Sequence, residues 1–247
     1  MRKTCFFAMT ALTVATLFTG CKKDDPDAID MSILKKGVQI VYDAQGNEHE
    51  VVDLGFTNGL LWSTCNLGAE SPEKLGNFYA WAETETKESY AEDNYKWKKE
   101  DGVTFTKYTL RKDEQNVKMD PIDNKQILDD SDDAVIAALG DHWATPLKED
   151  FTELTTVCKH RCCKLNGVWG YLFTSKETGN SIFLPLAGFY DETDNYYIGA
   201  YGYYWTTYLG SETEEATCFY MVKPENYPVR STRDRYLGVP IRPVYYE

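Results

Sequence analysis

The sequence of 247 residues has few histidines, and its basic residues are well outnumbered by its acidic ones. The three histidines, His49, His142 and His160, are dispersed and form no H-E-x-x-H spacing, which argues against a histidine-rich metalloenzyme. Lys and Arg number 26 against 39 Asp and Glu, a formal net charge of −13. Because affinity for a phosphate backbone comes from clustered cations, this balance argues against a nucleic-acid partner.

Long apolar runs are also scarce, and the longest stands near the amino terminus. Cys5 to Phe18 is almost wholly apolar and follows two cations, but it is shorter than the roughly 20 residues of a bilayer-spanning helix. Thr19, Gly20 and Cys21 follow it and resemble the end of a bacterial lipobox. This pattern predicts a cleaved lipoprotein signal peptide over residues 1–20 and lipidation of Cys21, with an ordinary secretory signal as the alternative.

Residues 21–36 are predicted to be the anchor and a linker. The segment Lys22-Lys23-Asp24-Asp25-Pro26-Asp27 is too charged to pack into a core. It resembles the charged signal that follows the anchor cysteine in surface-exposed lipoproteins of the Bacteroidetes. We therefore expect an outer-membrane, cell-surface protein that contacts the membrane through its lipid anchor alone.

Five cysteines remain beyond Cys21, so at least one thiol has no partner within the monomer. Export favours a disulfide, for which Cys65 and Cys158 are one candidate pair. The segment from Cys158 to Cys163 packs its soft ligands into six residues, which is a poor arrangement for tetrahedral zinc. A catalytic pair of a cysteine with His160 also stays open.

Two helices are predicted near the middle of the chain. Ser131 or Asp132 can cap a helix over residues 133–139, and the acidic run 129–133 is interpreted as its solvated start in preference to a calcium site. Thr145-Pro146 begins a second helix, in which apolar residues recur at helical spacing as far as Cys158. Residues 83–126 are predicted to be a polar surface insertion with a strand near 104–108.

Alternating apolar residues and turn signals predict strands in the rest of the chain. A hairpin is predicted over residues 38–53. Further strands are expected at 60–65, 77–81, 169–175, 181–185, 203–207, 217–222 and 241–245. Helices before a run of strands predict an α+β domain with two helices and a mainly antiparallel, β-rich second half.

Several segments in order along the chain together resemble a known family. They are Val52–Gly55, Leu61–Gly68, Gly76–Glu83, His142–Pro146, Asp150–Leu154, Asn166–Gly170, Asn180–Gly188, Gly202–Thr206 and Ile241–Val244. They resemble the Fibrobacter succinogenes major paralogous domain of Bacteroidetes lipoproteins, which is related to the C-terminal domain of Legionella collagen-like protein. The resemblance implies a C-type-lectin-like fold over residues 37–247 and supplies no catalytic residues.

Aromatic residues and a local group of arginines supply the candidate binding residues. Residues 189–208 are rich in tyrosine, and tyrosine gives a large contact area at low entropic cost. Trp205 is expected in the core, whereas a turn is expected at Tyr196 and Tyr197. The predicted ligand-binding residues are Tyr196, Tyr197, Tyr201, Tyr203, Tyr227, Arg230, Arg233, Arg235 and Tyr236.

These observations predict a non-enzymatic surface lipoprotein that presents a lectin-like domain for adhesion or for recognition of a glycan or protein. No cofactor and no resident metal are predicted, and the calcium-dependent sugar motif of lectins is absent from the sequence. The alternative is an exported enzyme with a fold like that of the formylglycine-generating enzyme, using a cysteine-dependent site at Cys162 and Cys163.

Overall fold

The computed structural model describes residues 25–113, 117–224 and 228–247. The predicted signal peptide, the predicted lipidation site Cys21 and the candidate binder Tyr227 lie outside these residues. In the described part of the chain, no helix has the length and apolar character needed to cross a membrane.

Eighteen strands and two α-helices make up the regular structure of the described residues. The helices are α1 (Ala134–Leu139) and α2 (Lys148–Val157). The strands are β1 (Ala28–Ile29), β2 (Val38–Tyr42), β3 (Glu48–Asp53), β4 (Leu61–Ser63), β5 (Phe78–Tyr79), β6 (Thr104–Phe105), β7 (Lys118–Met119), β8 (Trp143–Ala144), β9 (Cys158–Leu165), β10 (Val168–Ser175), β11 (Ser181–Pro185), β12 (Phe189–Asp191), β13 (Asp194–Tyr196), β14 (Tyr201–Leu209), β15 (Glu215–Val222), β16 (Val229–Asp234), β17 (Val239–Pro240) and β18 (Val244–Tyr245). Four single 3₁₀ turns lie between them.

Three sheets contain most of the strands. Their strand orders are β2-β3-β4-β18-β8, β1-β9-β10-β11 and β14-β15-β16. Three further pairs join β12 to β13, β17 to β5 and β6 to β7. The named strands pair antiparallel, except that β1 with β9 and β6 with β7 are parallel.

The predicted α+β, C-type-lectin-like class is wrong. Of the residues that the structure describes, 39% are in strands, divided among several small sheets, and 13% are helical. Both predicted helices are present, but one has six residues and the other ten. Strands of two or three residues, such as β5 and β17, are too short to show alternation in a sequence. The prediction therefore missed much of the sheet and gave the helices too large a share of the fold.

The two helices begin close to the positions predicted from the capping patterns in the sequence. Asp133 caps α1, since its carboxylate accepts the backbone N–H of Val135 at 2.8 Å. Asp150 accepts the backbone N–H of Leu147 at 2.7 Å and so closes the first turn of α2. The predicted extension of α2 to Cys158 is wrong, because Cys158 has extended backbone and begins β9.

Consecutive residues of β14 face two different cores. Tyr204 belongs to a cluster in which Phe151 of α2 packs against Phe219 of β15. Trp205 belongs to a second cluster with Trp81 and other buried aromatic residues. Sheet β14-β15-β16 therefore has one face under α2 and an opposite face.

Two predicted surface segments are in fact part of the packed structure. Strand β1 lies inside the predicted linker and pairs with β9, and Leu34 is buried nearby with 3% exposure. The predicted insertion at 83–126 buries Tyr95 and Tyr108 in the core, and the Tyr95 hydroxyl donates to the Trp81 carbonyl at 2.7 Å. Both segments are polar on average, but several of their apolar side chains are buried.

Candidate ligand-binding face

An aromatic surface lies where β12, β13 and the start of β14 meet. Tyr196 ends β13, and Tyr197 and Ile198 follow it in a turn. Their side chains are 44%, 53% and 55% exposed, which agrees with the turn predicted for the two tyrosines. Large apolar side chains that stay in water next to one another are characteristic of interaction sites.

The exposed tyrosines belong to one continuous set of ring contacts, which we call the tyrosine face. Its members are Phe189, Tyr196, Tyr197, Tyr201, Tyr203 and Tyr220. The ring centroids of Tyr197 and Tyr201 are 4.8 Å apart, edge to face, and those of Tyr203 and Tyr220 are 5.0 Å apart and stacked. Rings in mutual contact at these distances stabilise one another's orientation.

Strand register accounts for the order of the rings. Tyr203 of β14 lies directly opposite Tyr220 of β15, so both side chains project from the same face of the sheet. Tyr201 stands two residues before Tyr203 and shares that face. From the sequence, Tyr220 is predicted only to lie in a strand, because cross-strand register is not visible in a single sequence.

The backbone of the turn is held by close contacts. Gly188 has a φ of +65°, and a Cβ built there would lie 2.0 Å from the Tyr196 carbonyl oxygen, so only glycine allows this approach. Tyr197 has a φ of +66°, a strained value for a bulky residue. The backbone N–H groups of Ala200 and Tyr201 both donate to the Tyr197 carbonyl at 3.0 Å. The exposed rings therefore stand on a fixed turn.

Arg233 brings a positive charge to the tyrosine face. Its guanidinium carbon lies 4.4 Å from the ring centroid of Tyr203 and 5.8 Å from that of Phe189, and the group donates to the Tyr203 hydroxyl. Among the described residues, no carboxylate lies within 4 Å of it, and its Nε finds no hydrogen-bond acceptor. Burial raises the pKa of Tyr203, so its hydroxyl stays neutral at physiological pH.

The three predicted arginines do not form one cluster. Arg230 pairs with Phe219 across β15 and β16 and so projects from the face under α2, opposite to Arg233. Arg235 is a correction to the predicted site, because it is 1% exposed and its guanidinium donates to the Tyr95 hydroxyl at 2.9 Å and the Thr213 carbonyl at 2.8 Å. Arg230 and Arg233 lie on the edge strand β16, in which alternate residues face opposite ways.

Two predicted tyrosines also differ from expectation. Tyr203 is buried, so it supports the tyrosine face from beneath and offers little surface of its own. Tyr236 is half-buried and lies away from the face, in a cavity with Asp234 and Glu214, and burial raises its pKa to about 12. The expected burial of Trp205 is confirmed, since its indole donates to the Tyr79 carbonyl at 2.8 Å.

The cysteines do not form the predicted disulfide. Cys65 and Cys158, the candidate pair, are both free thiols. Burial raises the pKa of Cys158 to about 12, which opposes thiolate chemistry there. Cys162 and Cys163 are neighbours on β9, so their side chains project to opposite faces and join different packing clusters. They do not share one cleft, as the enzyme alternative requires.

Carboxylates of the acidic run 129–133 form ion pairs and hydrogen bonds within the protein. The Lys107 ammonium lies 2.5 Å from carboxylate oxygens of both Asp129 and Asp132. Asp133 accepts hydrogen bonds from Thr145 and Val135. Across the ranges that the structure describes, no group of three or more His, Cys, Asp or Glu side chains is arranged to hold a metal ion.

Comparisons with protein-family models, with curated proteins and with solved structures find no match for this chain. The family resemblance of its motifs therefore stays a prediction, and the functional argument depends on the site itself.

Proposed function

We propose that this chain is a lipid-anchored protein of the outer membrane that uses the tyrosine face to recognise a glycan or protein ligand outside the cell. The amino-terminal signal and Cys21 support the location, with contact to the membrane through the anchor alone. The acidic charge of the chain supports a ligand other than nucleic acid. The role proposed is binding and not catalysis, without a cofactor.

The observation that carries this proposal is the exposure of Tyr196 and Tyr197 on a fixed turn. Both rings contact Phe189, whose ring also lies near the Arg233 guanidinium. Aromatic rings with polar edges can pack against a sugar ring or an apolar side chain and still donate hydrogen bonds. The hydrogen-bonded turn reduces the entropy that these rings lose when a ligand binds. Arg233 adds a cation that has no carboxylate partner in the described ranges and can meet a polar or anionic group of the ligand.

The proposal predicts that the double substitution Tyr196→Ala with Tyr197→Ala weakens ligand binding without unfolding the domain. The ligand is first found on a glycan and protein array with the full chain carrying Cys21→Ser, which removes the lipid. Binding of the array ligand should fall at least tenfold, a loss of about 1.4 kcal/mol. The free energy of unfolding should change by less than about 0.5 kcal/mol, because both side chains are exposed.

Two control variants make this result interpretable. Trp205→Ala should cost roughly 3–5 kcal/mol of stability, as expected for a buried aromatic side chain. Tyr42→Ala removes an equally exposed tyrosine on β2, in a different sheet, and should leave binding unchanged. If the array ligand binds the double variant as well as the parent chain, its binding surface is not the tyrosine face.

A further inference from the structure

A cavity of about 210 Å³ lies on the opposite side of sheet β14-β15-β16 from the tyrosine face. Helix α2 packs over β14 and β15, and strand β16 continues the sheet beyond it. The space between the exposed side of α2 and β16 therefore has no covering element among the described residues. Lys148 and Thr155 of α2 line one side, and Arg230 of β16 lines the other.

The floor of this cavity is aromatic. Phe151 of α2 and Phe219 of β15 stack with ring centroids 4.3 Å apart and an interplanar angle of 12°. Both residues are buried in the core, so their positions are set by packing and do not depend on a ligand. A planar apolar group that enters the cavity can contact the edges of these rings.

Among the described residues, the charged side chains that line the cavity are both cations. Lys148 and Arg230 are the only ionisable lining residues in that part of the chain apart from a cysteine, although acids outnumber bases in the sequence. The Lys148 ammonium lies 3.9 Å from the ring centroid of Tyr208 and 3.8 Å from the carboxylate of Glu149. Arg230 has no carboxylate within 4 Å in the parts of the chain described. A second cavity is mainly acidic, since Glu92, Glu212, Glu214, Glu215 and Asp234 line it together with Lys98 and Arg235.

An aromatic floor with two cations at its rim defines a class of ligand. We propose that this cavity binds a small aryl carboxylate, with the ring on Phe151 and Phe219 and the carboxylate between Lys148 and Arg230. Arginine can hold a carboxylate through two parallel hydrogen bonds, and lysine adds a point charge. The volume is below the roughly 300–1,000 Å³ of sites for drug-sized molecules, so the ligand is a small one.

Phenylacetate tests this proposal, because it joins one ring to one carboxylate. We expect phenylacetate to bind the full chain carrying Cys21→Ser saturably at millimolar concentration. Protein-observed NMR measures this binding. Phenylacetamide, which has the same shape without the charge, and acetate, which lacks the ring, should each bind at least tenfold more weakly. Absence of saturable phenylacetate binding, or equal binding of the acid and the amide, would overturn the proposal.

Substitutions then assign the binding to this cavity. Arg230→Gln and Lys148→Gln should each weaken phenylacetate binding at least fivefold, and Thr155→Trp should abolish it by filling the cavity from a half-exposed position. Lys159→Gln is the matched control, since Lys159 is an exposed cation on β9 outside the lining. Unchanged binding in all three cavity variants, with the fold confirmed by their spectra, would contradict the assignment. The Tyr196 and Tyr197 variants should bind phenylacetate normally. The proposal for this cavity and the proposal for the tyrosine face are therefore tested independently.

Discussion

Arg235 illustrates at the residue scale how a charged side chain can be structural. Its guanidinium lies 5.2 Å from the ring centroids of Trp81, Tyr95 and Phe105. Its hydrogen bonds go to neutral oxygens, among them the Lys107 carbonyl at 3.1 Å. The cation thereby ties the segment after β5 to the end of β16. A buried arginine that satisfies several acceptors in this way supports the fold, and it is not available to a ligand.

We expect Arg235→Met to lower the free energy of unfolding by at least about 3 kcal/mol. The substitution leaves several buried acceptors unpaired, and each unpaired group costs roughly 1–3 kcal/mol. Arg235→Lys should recover only part of the loss, because an ammonium does not reproduce the planar fork of the guanidinium. Urea unfolding, monitored by fluorescence, measures the free energy of unfolding of the parent chain and of the two Arg235 variants.

Arg233→Met is the comparison for this experiment. Arg233 is half-buried and contacts the rings of Tyr203 and Phe189, so its removal should cost about 1 kcal/mol or less. Equal losses for the Arg233 and Arg235 variants would contradict the distinction drawn here between a binding cation and a structural one.

Helix α2 shows at the element scale how a cap can make stability depend on pH. Asp150 closes its first turn but is 3% exposed, and burial raises the pKa of its carboxyl to about 6, with Glu153 and Glu149 adding to the effect. The unfolded chain loses this proton near pH 4. The folded chain thus binds more protons between about pH 4 and 6, and its free energy of unfolding falls as the pH rises through that interval.

Because of Asp150, the free energy of unfolding should fall by on the order of 2 kcal/mol between about pH 4 and 6. The limiting slope is about 1.4 kcal/mol for each pH unit. Asp150→Asn keeps an acceptor for the Leu147 N–H and removes the titration, so its stability should depend less on pH over this range. Chemical unfolding at several pH values measures the difference between the two chains. Asp130→Asn, at an exposed acid, is the control, and a parallel pH profile for parent and Asp150→Asn would refute the assignment.

Strand β16 explains why a compact group of arginines in the sequence is spread over the structure. In an extended strand, successive side chains point to opposite faces. Arg230 therefore faces α2 and Arg233 faces the tyrosine face, while Arg235 lies just past the strand in the core. A loop could have brought the three together, and the pairing of β16 with β15 prevents it.

At the scale of the whole molecule, the proposed anchor makes its own prediction. Cys21→Ser should leave the exported chain unprocessed or release it from the membrane fraction, because acyl chains contribute roughly 0.8 kcal/mol for each buried CH₂ group. Fractionation with immunoblotting and metabolic labelling with a fatty-acid analogue measures both outcomes. A Cys21→Ser variant that is processed and membrane-bound like the parent chain would exclude the lipobox interpretation.

The sequence by itself determined several local features of this protein. The 38–53 hairpin, the two helix starts, the long strands near 168–185 and 201–222, the burial of Trp205 and the exposed turn at Tyr196 and Tyr197 all follow from local patterns. Each depends on residues close together in the chain, for which capping, alternation and turn preferences are informative.

The tertiary structure alone decided the sheet architecture and the composition of the sites. Tyr203 meets Tyr220, and Phe151 meets Phe219, through pairing and packing between segments far apart in sequence. Average polarity misled the prediction for residues 83–126, because a few inward-pointing aromatic residues and Arg235 are enough to pack a polar segment. Which face a side chain occupies depends on strand register, and register is fixed by contacts across the whole domain.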